Sequence, residues 1–470
     1  MFAGQNTIAG RRTGARRGRA GWGFPVLGPA AVASLALVLA LGWPAHALTF
    51  DEARHLLSRT GFGAPSVDSV TALMPLDHTA AVDRLLGGLR REPMTPPPPW
   101  VGERPPPPAA WAALSAAEQR ALRARRRERG RDLREWWLGE MLETTSPLTE
   151  RLVLFWHNHL PSSLRQVKWP AYIYRQNATF RRHAAGNFAD LLRQVAKQPA
   201  MLLYLDGQTN RAGNPNENFA REFLELFTFG EGRGYTEGDI REAARAFTGW
   251  RIDPESGGFT FASDLHDGGI KTFMGRRGRF TGDDIIDIVL DEPRVAKHIT
   301  EKLWRVFVSP SPAPTEVDRL ATQFRRSSHV LGPLLRGLLN SPQFRAAANR
   351  GVLVKSPIDL SVGTLRLLQL RSDDRGWLAS FNRRLGQDVL DPPNVRGWPG
   401  GTTWITSATL PARHAFLLDV WQSAEKTAIA PAGRLAPLLL PLPAAVPVIA
   451  GEGPHARLRR LLLDPAFQLK

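Results

Sequence analysis

Asn216-Glu217-Asn218-Phe219-Ala220-Arg221-Glu222-Phe223-Leu224-Glu225-Leu226-Phe227, opened by Asn214-Pro215 and closed by Gly230, sets the reading of the whole chain. At about 100° per residue, Asn218, Arg221, Glu222 and Glu225 fall within about 100° of arc on a helix. Phe219, Ala220, Phe223, Leu224, Leu226 and Phe227 fill the other side, so the segment is an amphipathic helix with one polar stripe. The same spacing recurs outward from it. Leu191, Leu192, Val195 and Ala196 form one apolar stripe, and Ile240, Ala243, Ala244 and Phe247 another. Thr236-Glu-Gly-Asp239 and Thr281-Gly-Asp-Asp284 read as capping boxes, with an acid three residues after a threonine. Only residues 252–280 break the pattern. There Phe259-Thr260-Phe261 alternates, and Gly257, Gly258, Gly268, Gly269 and Gly275 punctuate the chain. The expected fold is mainly α, a large multi-helix globular domain with a small β-hairpin or loop insertion near 252–280.

The chain has 470 residues, 43% of them apolar, with 14 tryptophans and no cysteine. That composition excludes wholesale disorder, disulfide staples, thiolate metal sites and thiol nucleophiles. Any metal would rest on His, Asp, Glu, Asn or backbone oxygens. Residues 1–47 read as a secretory signal peptide: Arg11, Arg12, Arg16, Arg17 and Arg19, an apolar run from Ala30 to Gly42, then Ala45-His46-Ala47. The run is shorter than the roughly 20 apolar residues a bilayer span needs, and no second one follows. Cleavage after Ala47 would place the mature protein in the periplasm or outside the cell, with no stable membrane span. Residues 48–92 read as an N-terminal helical segment packing on the core, 93–110 as a Pro-rich linker with nine prolines, and 111–470 as the main helical domain.

Lys+Arg outnumber Asp+Glu 61 to 44, a formal net charge of +17, and five of those charges leave with the leader. Eight arginines crowd Arg120–Arg134. The run has no interleaved aromatics for base stacking and is bound for export, so nucleic acid is not the expected partner. It reads as a solvated helix face, with contact to an anionic surface as the functional alternative.

Three constellations carry candidate chemistry. In the polar stripe, Glu222 and Glu225 lie three apart and can share a cation or divide acid and base roles, with Arg221, Asn218 and Asn216 as binding groups. The competing reading is an ordinary surface helix laced by Glu217–Arg221 and Arg221–Glu225 pairs. In Phe155-Trp156-His157-Asn158-His159, the two histidines are about 200° apart on a helix and face opposite ways. They are either satisfied core histidines or one of them is a ligand or general base. The third is His266-Asp267-Gly268-Gly269-Ile270-Lys271, a loop whose His, Asp and Lys could grip a ligand.

These residues resemble the bacterial family called domain of unknown function 1800. The similarity is carried by Asn216–Gly230, Tyr235-Thr236, Ala244–Trp250, Ala53–Gly63, Phe155–His159, His266–Lys271, Lys302-Leu303-Trp304 and Leu463–Gln468, and spans nearly all of 50–470. Phe223 and Phe229 stand where the family often has Leu, and Glu231-Gly-Arg-Gly234 is a glycine-rich insertion. The resemblance implies an exported, largely helical protein of uncharacterised activity. It also implies a neighbouring partner from a second uncharacterised family related to sulfatases and alkaline phosphatases. It brings no catalytic residues with it. One expectation is therefore a hydrolase whose polar site joins Glu222, Glu225, His157 or His159, and His266, with Arg221 and Lys271 on an anionic group and a divalent cation as candidate cofactor. The other is a non-enzymatic accessory or surface-binding protein working with the sulfatase-like or phosphatase-like partner.

Overall fold

The helix Pro147–His159 (α4 below) has apolar residues on every side, and the structure buries it accordingly: Leu148, Leu152, Val153, Leu154, Phe155 and Trp156 are all inside. The computed structural model describes residues 47–63, 66–370, 374–424, 432–447, 449 and 451–470. The expected leader, 1–47, lies outside these residues except for its last position. Residues 46–470 make one compact unit. Its helices include α1 (Phe50–Thr60), α2 (His78–Gly87), α3 (Ala116–Glu143), α4 (Pro147–His159), α5 (Pro170–Arg182), α6 (Glu217–Glu222), α7 (Glu237–Ala246), α8 (Gly282–Asp291), α9 (Pro293–Phe307), α10 (Pro314–Arg326), α11 (Leu331–Leu339) and α12 (Pro357–Leu367).

Among the described residues the strands form two small antiparallel pairs, both in the glycine-rich break. β1 (Trp250–Ile252) pairs with β2 (Phe259–Phe261), Trp250 opposite Phe261; β3 (Lys271–Phe273) pairs with β4 (Arg276–Gly278), Lys271 opposite Gly278. The structure is thus mainly α with a small β insertion. Local chemistry sets the helix starts. Thr236 and Thr281 each accept from the backbone three residues on, and Asp239 and Asp284 return the bond. Residues 108–113 and α3 are separate helices, parted at Ser115, which makes its own capping box with Glu118.

Two buried carboxylates inside the body are matched to cations. Glu150 receives both Arg181 (2.7 and 2.8 Å) and the Trp137 indole (2.7 Å), with both charged side chains essentially fully buried. Asp359, at the start of α12, joins Arg151 and Lys470 and is held well below the usual carboxylate range by those cations, against the effect of burial. The Pro-rich stretch runs along the surface of this unit. Met94 and Thr95 donate their amides to Glu140 of α3, itself buried, and the Trp136 indole donates to the Thr95 carbonyl.

The N-terminal segment is fastened by shape and by imidazoles. His55 of α1 and His78 of α2 each donate Nε2 to a distant carbonyl, Phe344 at 3.1 Å and Leu339 at 2.8 Å. Where the chain leaves α1, the Phe62 carbonyl lies so close to Gly363 of α12 that a Cβ on that glycine would sit 1.9 Å from its oxygen.

Candidate functional site

Asn216 caps the signature helix, its side chain accepting from Asn218 N at 2.9 Å, while its own amide donates to Asn210 at 2.8 Å. Phe219 and Phe223 then lock the inner face against Phe247, with ring centroids 4.9 and 5.6 Å apart. The helix is α only as far as Glu222. From Phe223 to Thr228 it widens into a π-helix, a departure from the uniform α geometry expected from the sequence. Its carbonyls find one partner within the segment and the others from elsewhere in the chain. Thr228 donates its hydroxyl to the Phe223 carbonyl at 2.7 Å. His298 of α9 and His159 of α4 donate Nε2 to the Leu226 and Phe227 carbonyls at 3.2 and 3.1 Å, and Arg294 donates to Phe229 at 3.0 Å. The end of the helix is thereby satisfied from outside, as buried carbonyls require.

The two histidines of α4 do face opposite ways. His157 is sealed between Trp137 and Phe180, each 4.7 Å away, and accepts from the Asn177 amide at 3.1 Å. Burial, then the charge of Arg181, pushes its pKa down to about 3. His159 stacks on Phe155 and lies 5.8 Å from the ring of His298. Burial, then the charge of Lys302, holds His159 far below the ordinary histidine range, and the same causes bring His298 to about 3. All three are neutral imidazoles committed to internal hydrogen bonds.

On the outer face, Arg221 is the hub. It makes two bonds to Glu237 of α7 (2.9 and 2.8 Å), one to Glu217 (3.0 Å) and a longer one to Glu225 (3.4 Å). These carboxylates raise the Arg221 pKa, the Glu237 hydrogen bonds most of all. Glu222 differs from its neighbours. It is half-buried, and among the described residues no group donates a hydrogen bond to it or pairs with it. Burial, then the negative charge of Glu225, raises its pKa, while the Arg396 charge opposes this. Arg396 itself is tied to Glu231, in the glycine-rich insertion, at 2.5 and 2.8 Å. Lys302 completes this neighbourhood: burial and the charges of Arg305 and Arg396 lower its pKa, and no described carboxylate pairs with it.

The His266–Lys271 loop makes a separate cluster. His266 Nδ1 donates to the Thr248 carbonyl at 3.0 Å. Asp267 is gripped by Arg245 at 2.7 and 3.2 Å, which brings its pKa to about 2. Lys271, 1% exposed, folds back on the Asp267 and Gly269 carbonyls. The helix α7 holds both clusters at opposite ends, Glu237 on Arg221 and Arg245 on Asp267. Eight residues at about 1.5 Å each separate them by about 12 Å. The structure therefore gathers Asn218, Arg221, Glu222 and Glu225 on one face, but buries His157 and His159 and puts His266 and Lys271 elsewhere. Among the described residues no group of three or more His, Asp or Glu is placed to hold a metal ion.

Lys302 and Arg396 join the site through the fold rather than through a pattern of their own. Lys302 belongs to the Lys302-Leu303-Trp304 stretch of the family motif, which was the available signal; Arg396 reaches the stripe from a loop far away in the chain. A family model described as "Protein of unknown function (DUF1800)" matches residues 55–462. The chain belongs to the DUF1800 family. No curated protein and no solved structure gives a match. The DUF1800 match runs unbroken across all three constellations and the α9 residues that hold the π-helix.

Proposed function

We propose that this DUF1800 chain is an exported accessory protein, working in the periplasm or outside the cell beside a partner of the sulfatase-like or phosphatase-like class. The observation that carries this reading is where the motif residues go. His159, Arg221, Arg245 and Asp267 of the motifs each hold one part of the chain to another, with His298 of α9 beside them, while Lys271 closes its own loop. They act as a joint between α4, the signature helix, α7 and α9. The test is purification of the tagged protein from its native envelope after crosslinking. Recovery of a sulfatase-like or phosphatase-like protein in stoichiometric amount is the expected result; recovery of the chain alone would overturn it. Intact mass of the same sample checks export, with a mature N-terminus at Leu48 expected.

A second reading, a hydrolase, is favoured by one feature: Glu222, a half-buried carboxylate with no partner among the described residues and a raised pKa. Such a group suits general acid–base work, with the charges of Glu225 and Arg396 acting on it. Among the described residues a divalent cation here would meet the Glu222 and Glu225 carboxylates, so water or substrate oxygens would have to supply its other ligands. Chromogenic phosphate, sulfate and carboxylic esters, with and without added Mg2+, Ca2+ or Mn2+, test it. Activity that Glu222→Gln abolishes would move the assignment to the enzyme.

A further inference from the structure

We propose that the groove between α3 and the segment leading into α5 binds an acidic polysaccharide, one bearing carboxylate or sulfate groups. The groove encloses about 820 Å3 and is floored by Trp111, Gly130, Leu164 and Pro170. Its walls carry Arg123, Arg126, Arg127, Arg131, Arg165 and Lys168, and none of these six makes an ion pair with a described carboxylate. The two acids at its edge, Asp388 and Asp391, are engaged by Arg134, with Arg383 also on Asp388. Arg126 lies over two indoles, 5.2 Å from the centre of Trp111 and 4.6 Å from that of Trp169. That packing fixes its guanidinium in place. Lys168 is held with φ 63°, in the left-handed region where a lysine carries a conformational cost. Like charges are thus crowded, and the two acids among them are already taken up by Arg134 and Arg383.

The shape selects among anions. A groove admits a chain, whereas a flat bilayer meets only its rim. The walls are helices and a helix C-terminus, whose backbone is already bonded, so an acidic peptide has no free strand edge to extend. Arginines match carboxylate and sulfate in a two-pronged geometry. The apolar floor offers Trp111 and Pro170 to the C–H faces of sugar rings. This inference does not depend on whether the chain is an accessory protein or a hydrolase.

The test is calorimetric titration of the purified protein with dextran sulfate and with polygalacturonate, against neutral dextran. The groove variant is Arg127→Glu/Arg131→Glu/Arg165→Glu, all exposed positions that make no ring contact with Trp111 or Trp169. The control is Arg276→Glu/Arg277→Glu/Arg279→Glu, an equal charge reversal on and beside the exposed β3–β4 hairpin. At low salt one or both polyanions should bind and neutral dextran should not. The groove variant should lose about tenfold or more, and the control less than about twofold. Which polymer binds identifies the anion. Equal losses in both variants would reduce the effect to net charge and overturn the proposal. So would failure of both polymers to bind, or tighter binding of polyglutamate or phosphatidylglycerol vesicles. Circular dichroism of both variants separates lost binding from lost fold.

Discussion

The outer face of the signature helix and the basic groove of α3 use charge in opposite ways. On the first, Arg221 meets three carboxylates, and the helix end is closed by two histidines and an arginine. On the second, six cations line a cavity with no described anion paired to them. A charge with a fixed internal partner supports the fold and offers little to a ligand. A charge left without one adds little to stability and keeps its full field for something outside. Removing residues from the two regions should therefore cost different things, stability in the first and binding in the second.

The largest effect of a single substitution is expected at His159. His159→Ala leaves the Phe227 carbonyl without its donor and opens a cavity among Phe155, Trp156 and His298, so denaturant unfolding should show a loss of about 3 kcal/mol. A loss below about 1 kcal/mol would mean that the π-helix does not need this support.

Next comes pH. His298 has a native pKa of about 3 against an ordinary 6.5, and His159 is lowered in the same direction. Between those values the unfolded chain binds more protons than the native one, so stability rises with pH through this window and falls as pH drops below about 6.5. Each histidine contributes at most about 1.4 kcal/mol per pH unit there. Urea midpoints from pH 4 to 7 should shift steeply in the wild type and less in His298→Gln; equal slopes would break the argument.

Arg221→Ala comes third. Its partners are largely solvent-facing, so the expected loss is below about 1 kcal/mol and should shrink further in high salt. The smallest stability effect is expected from the groove. Arg127→Glu alone should change unfolding free energy by less than about 0.5 kcal/mol. If it destabilises more than Arg221→Ala, the contrast between the two regions fails.

The parts of this molecule legible in its sequence are those set by neighbours along the chain. The capping boxes at Thr236 and Thr281, the stripe Leu191–Ala196, the buried α4 and the opposed directions of His157 and His159 follow from spacing alone. The π-helix does not, because its acceptors are satisfied by His159 and His298, residues far away in the chain. Nor does the groove: the arginines of α3 become a cavity wall only when Lys168, Trp169 and Pro170 fold against them. The polar stripe drew attention because its residues are chemically versatile. Which of them stay available depends on α7, which takes up Arg221 at one end and Asp267, through Arg245, at the other. Among the described residues the Glu222 carboxylate and the Asn218 side chain are left over.

The contact between Phe62 and Gly363 offers a handle of a different kind. Because the obstruction is backbone oxygen rather than a movable side chain, even alanine at 363 has to separate the end of α1 from α12. That seam adjoins the Gly61 carbonyl and Asp359, both bonded to Arg151. Gly363→Ala is thus a candidate for a temperature-sensitive allele, one that would let a geneticist switch the protein off in a living cell without touching either charged surface.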